Sequence, residues 1–326
     1  MSLEVDSILD RRRLRRRLGL WRALAIVAAL AVVGVIAWQQ IETSDLVRDK
    51  HVARVSLTGF ISEDRDQLAM FERLEKASSV AGVILFVNSP GGTTTGGEAL
   101  YGALRKLAAK KPLVAQFGTV AASAAYIAGL GTDHIVARGN TITGSVGVIM
   151  QWPEFTGLMD KVGVKMNEVK SGPLKATPSP FQPLDPASKA LLDEMIADGQ
   201  RWFLSLVTER RKLETASVPG LEQGRVYSGR RALELKLVDA IGGEAEAMRW
   251  LVDTRKVDKD LKIVDWRPKR PDDWSFARLT AGFLAEVVSL AGERVVSDAP
   301  ERLSRGIGTL SLDGLVSVWH PSKSEQ

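Results

Sequence analysis

The chain has 326 residues, 45% hydrophobic and 25% charged, and at ~100 to 200 residues per domain it can bury one large core or two small ones, which excludes disorder through most of its length. Its formal charge is +5, but Arg11, Arg12, Arg13, Arg15, Arg16, Arg17 and Arg22 against Glu4, Asp6 and Asp10 place +4 of it in the first 22 residues. The basicity is local, which argues against nucleic acid as a partner.

Ala23 to Trp38 is apolar and uncharged, and with Leu18 to Trp21 it reaches the ~20 residues that cross a bilayer. Read as a transmembrane anchor over 20–40, it leaves a cytoplasmic basic segment at 1–19, because positively charged flanks stay inside. The protein is then single-pass in the cell inner (cytoplasmic) membrane, with the remainder on the outer, periplasmic or extracytoplasmic side. A cleaved signal peptide is the rival reading, since Val35 and Ala37 are small enough to flank a cleavage point. The long apolar run and the lack of a clear polar stretch after it favour a retained anchor, and the arginine cluster disfavours a core helix.

After a linker at 41–50, the pattern predicts a domain over 51–258. His51 to Phe60 alternates as a strand does, and a helix follows at about Arg65 to Ser78. Gly82 to Asn88 (GVILFVN) has the continuous apolar character of a strand buried on both faces. Ser89 to Gly92 then reads as a turn, Gly97 to Lys110 as a helix, Pro112 to Phe117 as a second buried strand, and Gly118 to Val120 as the next turn. Strand, helix, strand with short turns is a right-handed crossover, so the two strands are predicted to be parallel neighbours. The crevice at their carboxyl ends is where open α/β sheets bind ligands.

Ala121 to Ala125 opens a helix lined with small side chains. Further on come a short strand at His134 to Ala137, a turn-like Thr143 to Gly147, and a Gly- and Pro-containing loop from Val164 to Pro180. A long helix is predicted from Pro186 to Leu213 and a helix-strand pair from Ser228 to Ile241. Residues 259–326 form an extension with one helical stretch at Trp274 to Val296. Leu310 to Trp319 reads first as a strand or packed arm, and second as a segment lying in a substrate groove or along the membrane surface.

The candidate chemistry is acyl transfer. Cysteine is absent, and His51, His134 and His320 are too far apart for a zinc site. A serine nucleophile needs a base. His134 sits in a strand-edge context that suits a base poorly, and a lysine serves only if an apolar pocket lowers its pKa by ~3 units from ~10.4. Lys175, between Leu174 and Ala176, is the candidate. Gly91 and Gly92 after one buried strand, and Ala124 after Ser123 beside the next, present backbone N–H groups that could stabilise an oxyanion, at ~3 kcal/mol per donor. Taken singly, Ser-Pro-Gly-Gly is better explained as a turn alone, and Ser123 could be only a small packing residue of the helix.

The motifs VNSPGG (Val87 to Gly92), GTVAASAAYIA (Gly118 to Ala128), TGSVGVI (Thr143 to Ile149), KSGPLK (Lys170 to Lys175) and GRVYSGRRALELKLVD (Gly224 to Asp239) occur in this order. Together, over about residues 50 to 250, the chain resembles the signal peptide peptidase SppA family of membrane-bound serine peptidases in its short, single-repeat form. The resemblance implies an α/β Clp protease/crotonase-like fold and a serine endopeptidase without cofactor or metal, acting on peptides such as signal-peptide remnants. It further implies Ser123 as nucleophile, Lys175 as general base, Ser145 orienting the lysine, and Gly92 with the Ala124 N–H lining the oxyanion hole beside Gly91. In double-length relatives the serine and lysine lie on different repeats, which implies a homo-oligomer whose sites are shared between neighbouring subunits. Two positions depart from the family: Ala124 and Ala125 stand where it usually has Gly-Gly, and Lys236 where it usually has Gly. A crotonase-type acyl-CoA enzyme and a catalytically silent membrane scaffold are the alternatives.

Overall fold

The computed structural model describes residues 49–269 and the strand Val316–Val318. The anchor predicted at 20–40, the basic segment before it and the helix predicted at Trp274 to Val296 lie outside the described residues, among which no helix is long and apolar enough to cross a membrane. The chain divides into two units, residues 1–50 with Ala77–Ser79 and residues 51–76 with 80–326. The sheet and its helices belong to the second.

Strand β1 (His51–Ile61) leads through α1 (Arg65–Lys76) to β2 (Val80–Thr93), and α2 (Thr94–Ala108) connects β2 to β3 (Leu113–Ala122). These three strands pair in parallel, β1 with β2 and β2 with β3, as the crossover pattern predicts. The buried runs fill the core: Val52, Ile84, Val114 and Val136 stack against Ala247 and Leu251 of helix α7 (Glu244–Arg255). With apolar surface worth ~25 cal/mol per Å², such side chains contribute ~1.5–3 kcal/mol each on burial.

Two of the predicted turns are strand. Ser89 to Gly92 belongs to β2, because β1 runs on to Ile61 and pairs with it, Phe60 opposite Gly91 and Ile61 opposite Gly92. Glycine is required there by close approach: a Cβ on Gly92 would lie 1.8 Å from the Ile61 carbonyl oxygen. Gly118 to Val120 likewise lies within β3. Where the β2–β3 register slips between Val87 and Ser89, the Asn88 Oδ1 accepts hydrogen bonds from the N–H groups of Thr119 (3.1 Å) and Val120 (3.2 Å). That satisfies donors the interrupted ladder would leave unpaired.

β3 then forks the sheet. Its first half pairs with β4 (His134–Ala137) and its last residues, Val120–Ala122, pair with β5 (Ile142–Gly144). The described sheet has the order β6-β5-β3-β2-β1-β8, with β6 at Val226–Ser228 and β8 at Ile263–Trp266; β4 and β7 (Ala240–Ile241) branch from β3, and β9 (Val316–Val318) pairs with β2. β8 lies beyond residue 258, where the sequence suggests the domain ends. It is tied in by Arg54, whose Nε and Nη2 donate to Asp265 at 2.6 and 3.0 Å while Nη1 reaches Glu244 at 2.8 Å.

Helix α3 (Ala124–Leu130) follows β3 directly. Its last turn is held by Arg210 of the long helix α5 (Pro186–Arg211), which donates to the carbonyls of Leu130 (2.9 Å) and Thr132 (3.0 Å). The adjacent Arg211 forms a two-point bond with Asp239, at 2.7 and 3.1 Å, and Asp239 also accepts from the Ile135 N–H. The region from Val164 to Pro180 is irregular, as predicted, after the short helix α4 (Thr156–Val162).

Lys236 explains its own departure. It follows helix α6 (Gly229–Glu234) with φ of 60°, and its N–H and that of Leu237 close the helix end on the Leu233 and Ala232 carbonyls. That left-handed cap is the conformation glycine adopts without cost and other residues adopt at ~1–2 kcal/mol. Lys236→Gly is therefore expected to raise stability by about 0.5–1 kcal/mol after the entropy of a freer unfolded chain is subtracted, read as a higher urea midpoint at unchanged slope.

Candidate active site

Ser123 sits between β3 and α3 with φ of 59° and ψ of −124°, a region that side-chain-bearing residues occupy at a cost of ~1–3 kcal/mol. It is 1% exposed. The strain is over-determined on both sides: the Ser123 N–H donates to the Gly144 carbonyl (2.9 Å) and the Ser123 carbonyl accepts from Ile127 N–H (3.0 Å). A sharp, strained strand-to-helix junction is how a catalytic serine is presented at the end of a sheet.

Small residues make the junction possible. Ala124 and Ala125 are fully buried, and the Ala124 Cβ would lie 3.3 Å from a Cβ placed on Gly97 of α2. The Ala124 methyl is thus accommodated across the α2–α3 contact by a glycine. As the first residue of α3, Ala124 has an N–H with no acceptor inside the helix.

The second candidate N–H group, that of Gly92, lies on β2. Ser89 pairs with Ala121, so Gly92, three residues on, and Ala124, also three on, leave neighbouring strands at the same end of the sheet. Ser89 was not legible as a site residue in the sequence. It is fully buried, its Oγ donates to the Gly59 carbonyl at 2.6 Å and accepts from the Gly91 N–H at 3.1 Å. Gly91, which has φ of 116°, thus has its N–H engaged within the strand by the Ser89 hydroxyl. The signal for Ser89 was a hydroxyl inside an otherwise apolar buried run.

Ser145 stands beside this junction. It follows Gly144, has φ of 52° and is 9% exposed, and its N–H donates to the Arg225 carbonyl at 2.9 Å. Thr143, also missed, is fully buried and its Oγ1 donates to the Ala121 carbonyl at 2.7 Å, locking β5 to the end of β3.

Lys175 is placed differently. It is solvent-exposed on the irregular segment after α4, where its N–H closes a turn on the Gly172 carbonyl at 3.1 Å. The apolar pocket a basic lysine requires is not supplied by its own surroundings within the single chain. His134 is at the wrong end of the sheet: it pairs with Val114, so Ser123 lies nine positions further along β3, roughly 30 Å at ~3.3 Å per residue. Burial pushes its pKa down, it stacks on Trp250 at 4.9 Å, and its Nδ1 lies 3.8 Å from Asp239. His51, opposite Val80, is at the same remote end, and His320 lies outside the described residues.

No group of three or more potential metal ligands occurs among the described residues. A cleft of about 770 Å³, lined by Arg54, Phe86, Gln116, Arg138 and Trp266, opens at mid-strand level and includes none of Ser123, Ser145 or Gly92.

Gly92 offers a direct test of the geometry. Gly92→Ala would drive its methyl into the Ile61 backbone, which cannot give way as a side-chain tip would. The expected outcome is a destabilisation of about 2 kcal/mol or more, since overpacking alone costs ~1–3 kcal/mol, with loss of Ser123-dependent activity; a thermal midpoint and rate equal to wild type would refute the close approach.

A buried serine at a strained strand-to-helix junction, with backbone N–H groups from two neighbouring strand ends, suits acyl transfer on a mixed α/β sheet of Clp protease type. A Clp protease family model matches residues 47–140, and a Peptidase family S49 model matches residues 105–258. The chain is 34% identical over 217 residues to a candidate protease of Synechocystis sp., covering 66% of this chain and 78% of that one. It is 30% identical over 235 residues to a candidate signal peptide peptidase SppA of Enterococcus faecium, covering 67% of each. It is 37% identical over 172 residues to Protease 4 of Haemophilus influenzae, covering 52% of this chain and 28% of that one. The chain belongs to peptidase family S49.

Proposed function

We propose that the protein is a membrane-anchored serine endopeptidase that cleaves peptides through an acyl-enzyme on Ser123, with Lys175 of a neighbouring copy as general base. The observation that carries the reading is the strained, buried Ser123 between β3 and α3, because such backbone strain, held by the surrounding structure, clusters at active sites. In the first step Ser123 Oγ bonds to the scissile carbonyl carbon while the lysine amine takes the hydroxyl proton. The resulting oxyanion is held by the Gly92 and Ala124 N–H groups. The lysine then passes the proton to the leaving amine, and water, deprotonated by the same base, releases the acyl group.

Two features support a base from a second copy. Lys175 is exposed in the single chain, whereas a neutral lysine needs burial. The segment carrying it also exposes Phe155, Leu158, Val162, Val164, Met166 and Leu174, an amount of apolar surface that marks an association face. Ser145, beside Ser123, would orient the incoming amine. With an anchor at 20–40, the site lies outside the inner membrane, where signal-peptide remnants and other membrane-derived peptides are the substrates within reach.

The deciding experiment is labelling with a fluorophosphonate probe followed by peptide mapping. Modification confined to Ser123 is expected. Absence of labelling in protein that is folded and assembled would favour the silent scaffold of the same fold; the acyl-CoA alternative is disfavoured by export from the compartment where acyl-CoA is made.

A further inference from the structure

Apart from Ser123, Ser145 and Ala176, every described non-glycine residue with positive φ is a lysine. Lys212, Lys236 and Lys256, with φ of 51°, 60° and 59°, stand where helices α5, α6 and α7 end. Glycine takes that conformation without cost and lysine does not. The pull of a helix C-terminus on a cation offsets only part of the difference, so three strained lysines in one place call for a reason.

They do share one place. Arg211, next to Lys212, donates through Nε to the Lys236 carbonyl at 2.7 Å and through its other nitrogens to Asp239, which holds the Ile135 N–H at the start of β4. Arg255, next to Lys256, lies 3.6 Å from Asp133, which accepts from the Leu113 N–H at the start of β3. These are the amino ends of the parallel strands, the end where β1 begins at His51 beside Val80. Asp239 and Asp133 are thus engaged by arginines, while all three lysines are exposed. Leu233, 37% exposed, shares a depression of about 350 Å³ with Lys212 and Lys236.

We propose that this end of the domain docks on anionic phospholipid headgroups, with the three lysines as its charge and Leu233 entering the interface. Positive charge that attracts nucleic acid is spread over a domain, whereas the residues after 22 carry a formal charge of only +1, so here it is segregated on one face. The linker at 41–50 spans at most ~35 Å, which makes a bilayer the polyanionic surface held nearest to His51. Each lysine at an anionic surface shifts the contact equilibrium about fivefold at low salt, and three shift it about a hundredfold. Docking by this end turns Ser123, nine positions beyond Val114 along β3, away from the bilayer, so the site takes peptide already released into water. The tethering rests on residues 20–40 being an anchor; the preference for anionic lipid does not.

The chain has no cysteine, so one introduced thiol carries one fluorophore. Thr254→Cys, exposed on the last turn of α7, reports on the amino end, and Thr119→Cys, exposed on β3, reports on the carboxyl end. The full chain is placed in nanodiscs that carry a headgroup-linked quencher, made of phosphatidylcholine alone or with about one-third phosphatidylglycerol. Quenching at Thr254 is expected to correspond to a contact equilibrium at least about tenfold higher with phosphatidylglycerol, and to fall at least about tenfold at high salt and in Lys212→Gly/Lys236→Gly/Lys256→Gly. That variant should melt no lower than wild type, since glycine relieves the strain; the matching triple asparagine variant, also tolerant of this backbone, serves if it does not. Equal quenching in both lipids, equal quenching of wild type and a folded triple variant, or quenching at Thr119 in place of Thr254 overturns the docking surface. Chain retained by phosphatidylglycerol discs alone, with Thr254 quenched, supports the surface and overturns the anchor. Chain retained by neither kind of disc overturns both.

Discussion

Ser123→Ala is expected to lower peptide hydrolysis by about ten-thousand-fold or more, the scale on which removing a serine nucleophile leaves only oxyanion stabilisation and binding, with the thermal midpoint close to wild type. The reason lies in the backbone. Alanine keeps a Cβ at φ of 59°, so the strain of the junction is retained and one buried hydroxyl is lost from a helix start already lined by alanines. Ser123→Gly makes the complementary case: it abolishes activity equally and relieves the strain, so its stability should rise toward the ~1–3 kcal/mol stored there, less the entropy cost of glycine. Turnover of casein or an apolar fluorogenic peptide by purified Ser123→Ala at the wild-type rate would remove this residue from the mechanism.

The second large effect is recovery of activity from two dead proteins. Ser123→Ala and Lys175→Ala subunits are each expected to be inactive, yet mixing them before assembly should restore hydrolysis, because some interfaces will pair an intact serine with an intact lysine. With random mixing of equal amounts in a closed ring, about a quarter of the sites should be regenerated, since each needs one intact contribution from each of two neighbours. The expectation is drawn from the exposure of Lys175 on the segment that also presents Phe155, Leu158 and Val162 to solvent. Co-assembled mixtures with no recovered hydrolysis would place serine and lysine in one protomer and require this segment to fold back onto its own Ser123.

Much of this protein was determined locally and could be read from its residues. GVILFVN and PLVAQF announce strands buried on both faces because continuous apolar runs of strand length bounded by turn residues suit that setting, and their spacing around a helix favours parallel pairing, which β2 and β3 show. The Asp185-Pro186 pair marks the start of α5, where Asp185 accepts from the Ala187 and Ser188 N–H groups, both at 3.0 Å. The ordered motifs pointed to Ser123, Gly92 and Ser145, and the structure brings these to one end of the sheet.

What only the tertiary structure decided were features that depend on a neighbour distant in sequence. Ser-Pro-Gly-Gly reads as a turn from its own residues, yet it is strand because β1, some 30 residues earlier, extends to Ile61 and approaches so closely that only glycine fits. The role of Ser89 depends on the Gly59 carbonyl and that of Thr143 on the Ala121 carbonyl, partners that no local pattern encodes. β8 and β9, both from beyond residue 258, complete edges of strands laid down far earlier. Periodicity and composition record how a segment partitions between water and core, whereas pairing partners, backbone strain and the occupant of an open edge are set by which distant segments meet, and these emerged only when the sheet was assembled.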